Sequence, residues 1–423
     1  MKKILFLLFV SVQFGCFSAA PKDSLAKSLS SFATQSFYIA YTNQDNMTYC
    51  PLSLYTTLLM VYLGSKNTTQ KEIMSSLHLG LSKPEVLTSY ASLMKSSEES
   101  HPSNNTDKRK KKDKNKGYKF INANSMWVAN AFPVLQSYRN MIEESFHSQI
   151  FSVNFQTPSA VLSQINNWAK SQTEGKISNV LSSEDLNPLI RMLLLNAVYF
   201  KGAWKKPFNE KKTAPDDFYI EPDISNVSVK VDMMSQTGSF QYLENDNFQA
   251  VSLELEKKIK QNNVSCLFFL PKKEQGNPYK EIMNYFNNSK EDLFSLIKNM
   301  KPDYGQIKLP KFSVSNRIYF NDVLRSLGMQ QVFSQDANLS EISNKKNLHV
   351  SDVIQSALFS MDEKGIVAAA VTAASIGITS TLPEQPNFYF TANRPFVYFL
   401  IDLDKEIILF MGVYGKPQLP KQS

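Results

Sequence analysis

Little in this chain points to enzyme chemistry. Only four histidines occur, His78, His101, His147 and His349, and none stands at catalytic or metal-ligand spacing from a partner. There is no G-x-S-x-G elbow, no H-E-x-x-H pair, no phosphate-binding loop and no dinucleotide fingerprint. A Ser/His/Asp triad is set by geometry rather than sequence order, so a hydrolase stays formally open, without support from any motif. Cysteine is scarce, with three in 423 residues. Cys16 lies in an apolar leader. Cys50 and Cys266 sit in apolar surroundings and read as buried thiols; an oxidising compartment would permit a bridge, but nothing in the sequence demands one. Beyond the leader no apolar run is long enough to span a membrane. No internal repeat and no Gly/Ser linker divides the chain.

What is present fits a protein with a large core: 43% hydrophobic and 20% charged residues. Lys2 and Lys3 precede the apolar run Ile4 to Val12, and small residues follow at Ser18, Ala19 and Ala20. That is the pattern of a secretory signal over residues 1–20, so the mature chain is expected outside the cell. Sequons at Asn46, Asn67, Asn104, Asn226, Asn263, Asn287 and Asn338 agree with that route as N-glycosylation candidates, although each one alone is weak. The net charge is +8, of which Lys2 and Lys3 account for two. Much of the rest lies in a polar stretch holding Lys108, Arg109, Lys110, Lys111, Lys112, Lys114 and Lys116. This segment cannot bury a core and reads first as a solvated insertion without a ligand. A nuclear address conflicts with the leader.

Apolar spacing predicts helices over Leu25 to Tyr41, Pro51 to Gly64, Thr69 to Leu79, Pro84 to Lys95, Ser159 to Lys170 and Asn316 to Leu327. Strand patterns cover Phe120 to Ala129, Arg191 to Phe200, Val227 to Met233, Phe240 to Tyr242, Gln249 to Leu255, Val264 to Leu270 and Gln306 to Pro310. A hairpin turns around Asp404-Lys405 between Phe396 to Leu403 and Ile407 to Val413. Helices early and strands late, without strict βαβ alternation, argue for α+β.

The most informative stretch is Met361 to Ser375, where Glu363-Lys364-Gly365 leads into Ile366-Val367-Ala368-Ala369-Ala370-Val371-Thr372-Ala373-Ala374. On local sequence a strand and a helical turn fit equally well. As a strand, its small side chains could join a packed sheet without displacing a core. Alternation would put Ile366, Ala368, Ala370, Thr372 and Ala374 on one face. No proline interrupts Gly365 to Leu382, whereas Pro383 and Pro386 follow.

The tail Phe390-Thr391-Ala392-Asn393-Arg394-Pro395-Phe396, followed by Ile408-Leu409-Phe410-Met411-Gly412, resembles the signature of the serpins, the serine protease inhibitor family. The segments Leu193 to Trp204, Ile165-Asn166-Asn167-Trp168 with Thr173 to Ile177, and Pro51, Ser53 and Gly64 extend the likeness over roughly residues 24 to 418. The resemblance implies one serpin domain over residues 21–423, with N-terminal helices, a large central sheet, smaller sheets and an exposed reactive loop (363–394). It implies an inhibitor consumed once, not an enzyme. A protease cuts the loop, the loop inserts into the sheet, and the acyl-enzyme is trapped. Counting from Glu363 places the reactive bond at Thr379–Ser380, with Ile378, Ser380 and Leu382 as neighbouring alternatives.

The hinge by resemblance is Glu363, Gly365, Ile366, Ala368, Ala369 and Ala370. The polar cluster beneath the sheet and the aromatic at its top fall on Cys50, Ser53, Asn196, Gln355 and Trp204. A Thr, Ile or Ser at the cut, with no Lys or Arg from Gly365 to Asn393, implies an elastase-like target. The basic run follows the helix through which some serpins bind heparin-like polysaccharide, the one accelerator the resemblance suggests; no other cofactor, no metal and no membrane partner is expected, and the chain should act as a monomer. Inhibitory serpins usually place Thr or Ser where this chain has Ile366. A non-inhibitory member (carrier, chaperone or ligand) is therefore the alternative.

Overall fold

The computed structural model describes residues 21–41, 46–95, 117–221, 227–258, 261–272, 277–289, 291–366 and 385–417. The leader, the basic run, Asn104, Asn226, Ala368, Ala369, Ala370 and Thr379–Ser380 lie outside the described residues, as does the side chain of Asn287.

Helix α1 (Pro21–Ala40) and the short strand β1 (Asn46–Tyr49) precede α2 (Pro51–Gly64), α3 (Asn67–Ser76) and α4 (Lys83–Met94). Strand β2 (Tyr118–Ala129), α5 (Gln136–Phe146), β3 (Gln149–Val153) and α6 (Pro158–Gln172) lead to β4 (Met192–Ala203). Then come β5 (Ala214–Glu221), β6 (Val227–Glu244), β7 (Phe248–Glu254), β8 (Val264–Pro271), α7 (Pro278–Ser289) and α8 (Leu293–Asn299). The chain continues through β9 (Lys301–Pro310), β10 (Phe312–Tyr319), α9 (Asn321–Ser326), β11 (Asp352–Asp362), β12 (Gly365–Ile366), β13 (Phe388–Thr391), β14 (Phe396–Asp402) and β15 (Ile407–Tyr414). The fold is α+β, as expected.

One expected helix needs correction. Asn316 to Leu327 is half strand: residues up to Tyr319 belong to β10, and only Asn321–Ser326 is helical. Strand β10 alternates between buried and exposed positions, and its full-length pairing with β11 overrides the helical spacing that α9 contributes downstream. Strand β6 is also one long element where two short ones were expected. The buried cysteines are free thiols.

Two sheets form. The six-stranded one runs β10-β11-β12-β4-β2-β3, and the nine-stranded one runs β1-β15-β14-β8-β7-β6-β9-β13 with β5 on β6. Helix α2 packs on β2 and β4 on one side and on β15 on the other, and all its residues are buried. A helix apolar all round belongs there, because neither side meets water. Pro51 sits in its first turn, and the Cys50 sulfur caps it by accepting from the Ser53 N–H at 3.4 Å. On the opposite face of the six-stranded sheet, α6 and the chain after it form a second apolar cluster around Trp127, Ile165, Trp168, Leu193 and Leu195.

Candidate functional site

The site is a seam between β4 and β11. These strands lie parallel over seven register pairs, Asp352↔Leu193 to Leu358↔Tyr199. Above Leu358 they diverge, and β12 fills the gap: Gly365 and Ile366 pair antiparallel with Ala203 and Gly202 on one side and with Asp362 and Met361 on the other. The sheet is thus closed below and wedged open above by two residues of the hinge.

A turn at residues 362–364 delivers the hinge, and its carbonyls all have partners. The Trp204 indole N–H donates to the Asp362 carbonyl at 2.9 Å, the Phe208 N–H to that of Glu363 at 2.9 Å, and the Trp204 N–H to that of Lys364 at 2.9 Å. The Asp362 carboxylate accepts from the N–H groups of Lys364 and Gly365. Glu363 is 7% exposed. It accepts from the Thr213 hydroxyl at 2.8 Å and faces the Lys311 ammonium at 3.4 Å. Burial opposes the ionised carboxyl, but Thr213 and Lys311 outweigh it and hold the group below its ordinary value of 4.5. Gly365 has φ +156°, and a Cβ there would lie 2.1 Å from the Gly202 carbonyl oxygen, so no side chain fits. Ile366 is fully buried in the main core. The Lys364–Glu210 pair is exposed and contributes little.

Beneath the seam lies a polar cluster. Gln355 and Asn196 face each other across it in register, and Asn124 on β2 is the register partner of Asn196. The Gln355 amide clamps the Cys50 backbone: its oxygen accepts from the Cys50 N–H at 2.6 Å, and its nitrogen donates to the Cys50 carbonyl at 3.0 Å. The Ser53 hydroxyl donates to the Asn124 amide oxygen at 2.7 Å. Asn196 donates to that same oxygen at 2.6 Å and to the Thr57 hydroxyl at 2.5 Å. Its own amide oxygen is buried and accepts nothing among the described residues. The structure therefore brings Cys50, Ser53, Asn196 and Gln355 together at one level, with Trp204 and the hinge at the other end. Sequence reasoning did not name Asn124 and Thr57. The signal was there in α2, where Thr57 lies one helical turn after Ser53, whereas in β2 Asn124 is one of several polar residues and does not stand out.

The far end of the loop is anchored on the other sheet. Strand β13 pairs parallel with β9, the Asn387 side chain donates to Asp303 at 2.7 Å, and Phe388 stacks on Tyr242 with ring centroids 3.7 Å apart. Among the sequons, Asn46 accepts from the N–H groups of Gly415 and Lys416 and donates to the Lys416 carbonyl. Asn263 bonds the Asp404 carboxylate, Asn338 accepts from Ser340, and Asn67 is exposed at the start of α3. No helix among the described residues is long and apolar enough to cross a membrane.

Comparison with known proteins agrees with this geometry. The family model for Serpin (serine protease inhibitor) matches residues 27–417. Intracellular coagulation inhibitor 2 of Tachypleus tridentatus is 31% identical over 374 residues, covering 87% of this chain and 85% of that protein. The crystal structure of Serpin48 from the insect Tenebrio molitor shares the fold with a TM-score of 0.78 at 24% identity, over 96% of this chain and 100% of that one. Human thyroxine-binding globulin complexed with its ligand does so with a TM-score of 0.78 at 22% identity, over 95% and 100%. A seam wedged by the hinge, a polar cluster beneath it and a family match over nearly the whole chain lead to one conclusion: this protein belongs to the serpin family.

Proposed function

We propose that the protein is a secreted, single-use inhibitor of serine proteases, not an enzyme, that acts as a monomer and traps an elastase-like target by inserting its cut loop into the β4/β11 seam. The observation that carries this reading is β12: two residues already sit as the first rung of a strand that the seam would accept whole. Ile366 supports it, because the seat holds this β-branched residue fully buried, so no overpacking remains to slow the first step. About a dozen residues from Ile366 to Ile378, at roughly 3.3 Å each, would span about 40 Å of sheet.

The two registers of β12 can be carried forward. Both set Thr372 between Asn196 and Gln355, on the face that Ile366 shares with the polar cluster. There its hydroxyl would donate to the unfilled Asn196 oxygen. Thr372→Val should therefore raise the fraction of chains cut without trapping a protease, by about twofold or more. A stoichiometry of inhibition equal to the parent's would remove Thr372 from the mechanism.

The test of the function is a panel of serine proteases mixed with the secreted chain. A covalent, denaturant-stable complex with an elastase-like protease, and a released fragment beginning at Ser380, are expected. Cutting without a complex would make the chain a non-inhibitory serpin acting as a carrier, chaperone or ligand. For the basic run we propose a sulfated polysaccharide as partner, since such clusters bind polyanions through salt-sensitive contacts. Alanines at Lys108, Arg109, Lys110, Lys111, Lys112, Lys114 and Lys116 should shift elution from heparin resin to lower salt; unchanged elution would leave the run a plain solvated insertion.

A further inference from the structure

The layer in front of the six-stranded sheet crosses the seam. On one side, α6 and residues 173–190 bury Ile165, Trp168 and Leu181 against Leu193 and Leu195 of β4, and the same cluster takes Ile354 of β11 from the other side. Further across, at β10, the layer is bonded rather than packed. The Asp185 carboxylate accepts from the Arg317 guanidinium at 2.9 Å and from the Tyr319 hydroxyl. Arg317 also reaches the Val180 carbonyl at 3.5 Å. Within its own segment Asp185 is fixed by the Ser182 N–H at 2.5 Å and the Ser182 hydroxyl at 2.8 Å. Burial works against the ionised carboxyl, but the Ser182, Tyr319 and Arg317 interactions prevail and keep it below the usual range.

We propose that Asp185 straps the seam shut, and that its bonds to Arg317 and Tyr319 set how fast a strand can enter between β4 and β11. This rests on the loop-insertion reading above. A full strand adds one interstrand spacing, about 4.8 Å, between β4 and β11. Strand β10 is zipped to β11 from Phe312↔Met361 to Tyr319↔Ile354 and moves with it. The segment holding Asp185 stays with α6 on β4. A 2.9 Å hydrogen bond cannot follow that separation. Arg317 and Tyr319 lie opposite Ser356 and Ile354, the levels Val371 and Ala373 would reach in the forward register. The strap therefore resists the later half of insertion, when the race with deacylation is decided. Asp185 is a positioning residue: it acts through Arg317 and Tyr319 on β10.

The test uses the full chain and a synthetic peptide with the sequence of residues 367–378, which can enter the seam in place of the loop. Uptake is followed by native gel and by the unfolding midpoint of timed samples. The variant Arg317→Met/Tyr319→Phe should take up peptide about tenfold faster than the parent, and Arg317→Lys should stay near the parent rate. Once the loop is cut and inserted the strap is already broken, so the cleaved double variant should unfold at the parent's temperature. A parent-like uptake rate in the double variant, or faster uptake with an equally destabilised cleaved form, overturns the strap alone. A parent chain that takes up no peptide overturns the insertion reading, and the strap falls with it.

Discussion

A single nick between Gly377 and Leu382 is expected to raise the thermal unfolding midpoint of the whole protein by about 10 °C or more. Cutting a chain ordinarily loosens it, so the sign alone is diagnostic. Before the cut the loop is held at both ends on different sheets, by β12 at the seam and by β13 on β9. It cannot travel. After the cut the near half is free to continue from Ile366. Each rung it adds replaces one parallel β4/β11 pairing with two antiparallel ones, and parallel pairing is slightly weaker per residue. The valines and alanines would be buried between the sheet's two covering layers as they enter. Ordering costs about 1–2 kcal/mol per residue and opposes this, but it is met by two ladders and two buried faces. Differential scanning calorimetry on intact and nicked protein checks it. An unchanged midpoint would mean that no strain is stored in the intact fold.

Glu363→Lys has the second largest expected effect. The change puts a second positive charge against Lys311 in a seat only 7% exposed and removes the acceptor of the Thr213 hydroxyl. Lys311 is itself 37% exposed, so water offsets part of the repulsion; the lost Thr213 bond and the like-charge contact together cost about 1–3 kcal/mol, comparable with what two rungs of β12 supply. The hinge should therefore leave the seam part of the time. The upper edges of β4 and β11 then stand unpaired and become templates for another chain. We expect lower yield, faster proteolysis near residue 363 and a ladder of higher species on native gels, whereas Glu363→Gln, which still accepts from Thr213, should stay largely single. A Glu363→Lys protein that remains one species with parent-like proteolysis would show that the seat does not depend on this pair.

The same seat predicts a direction with pH. A carboxyl held below its ordinary 4.5 stabilises fully above that value and loses its contribution as pH falls through the folded value. The hinge should therefore loosen in acid, not in alkali.

Much of this was legible in the sequence, for stated reasons. Apart from Asn196, the run Leu193 to Phe200 is apolar on both faces, and only a strand covered on both sides fits that. The hinge announces itself by Gly365, the one residue its close approach to Gly202 permits. Legibility failed where register decides. Nothing local connects Asn124 to Asn196, 72 residues later, or Asp185 to Arg317, 132 residues later; strand pairing brings them together. At β10, a strand ran into a helix without a break in apolar spacing, and the downstream period masked the upstream one.

The polar cluster under the seam has a consequence of its own. It is built from amides and hydroxyls, and its one titratable group, the Cys50 thiol, is pushed far upward by burial. Its strength is thus indifferent to acidity, while the carboxylate at the top is not. Acid reaches the carboxylates at the mouth and at the strap, Glu363 and Asp185, but not the amide and hydroxyl teeth between them, so a chain loosened by acid keeps the middle of its zip closed.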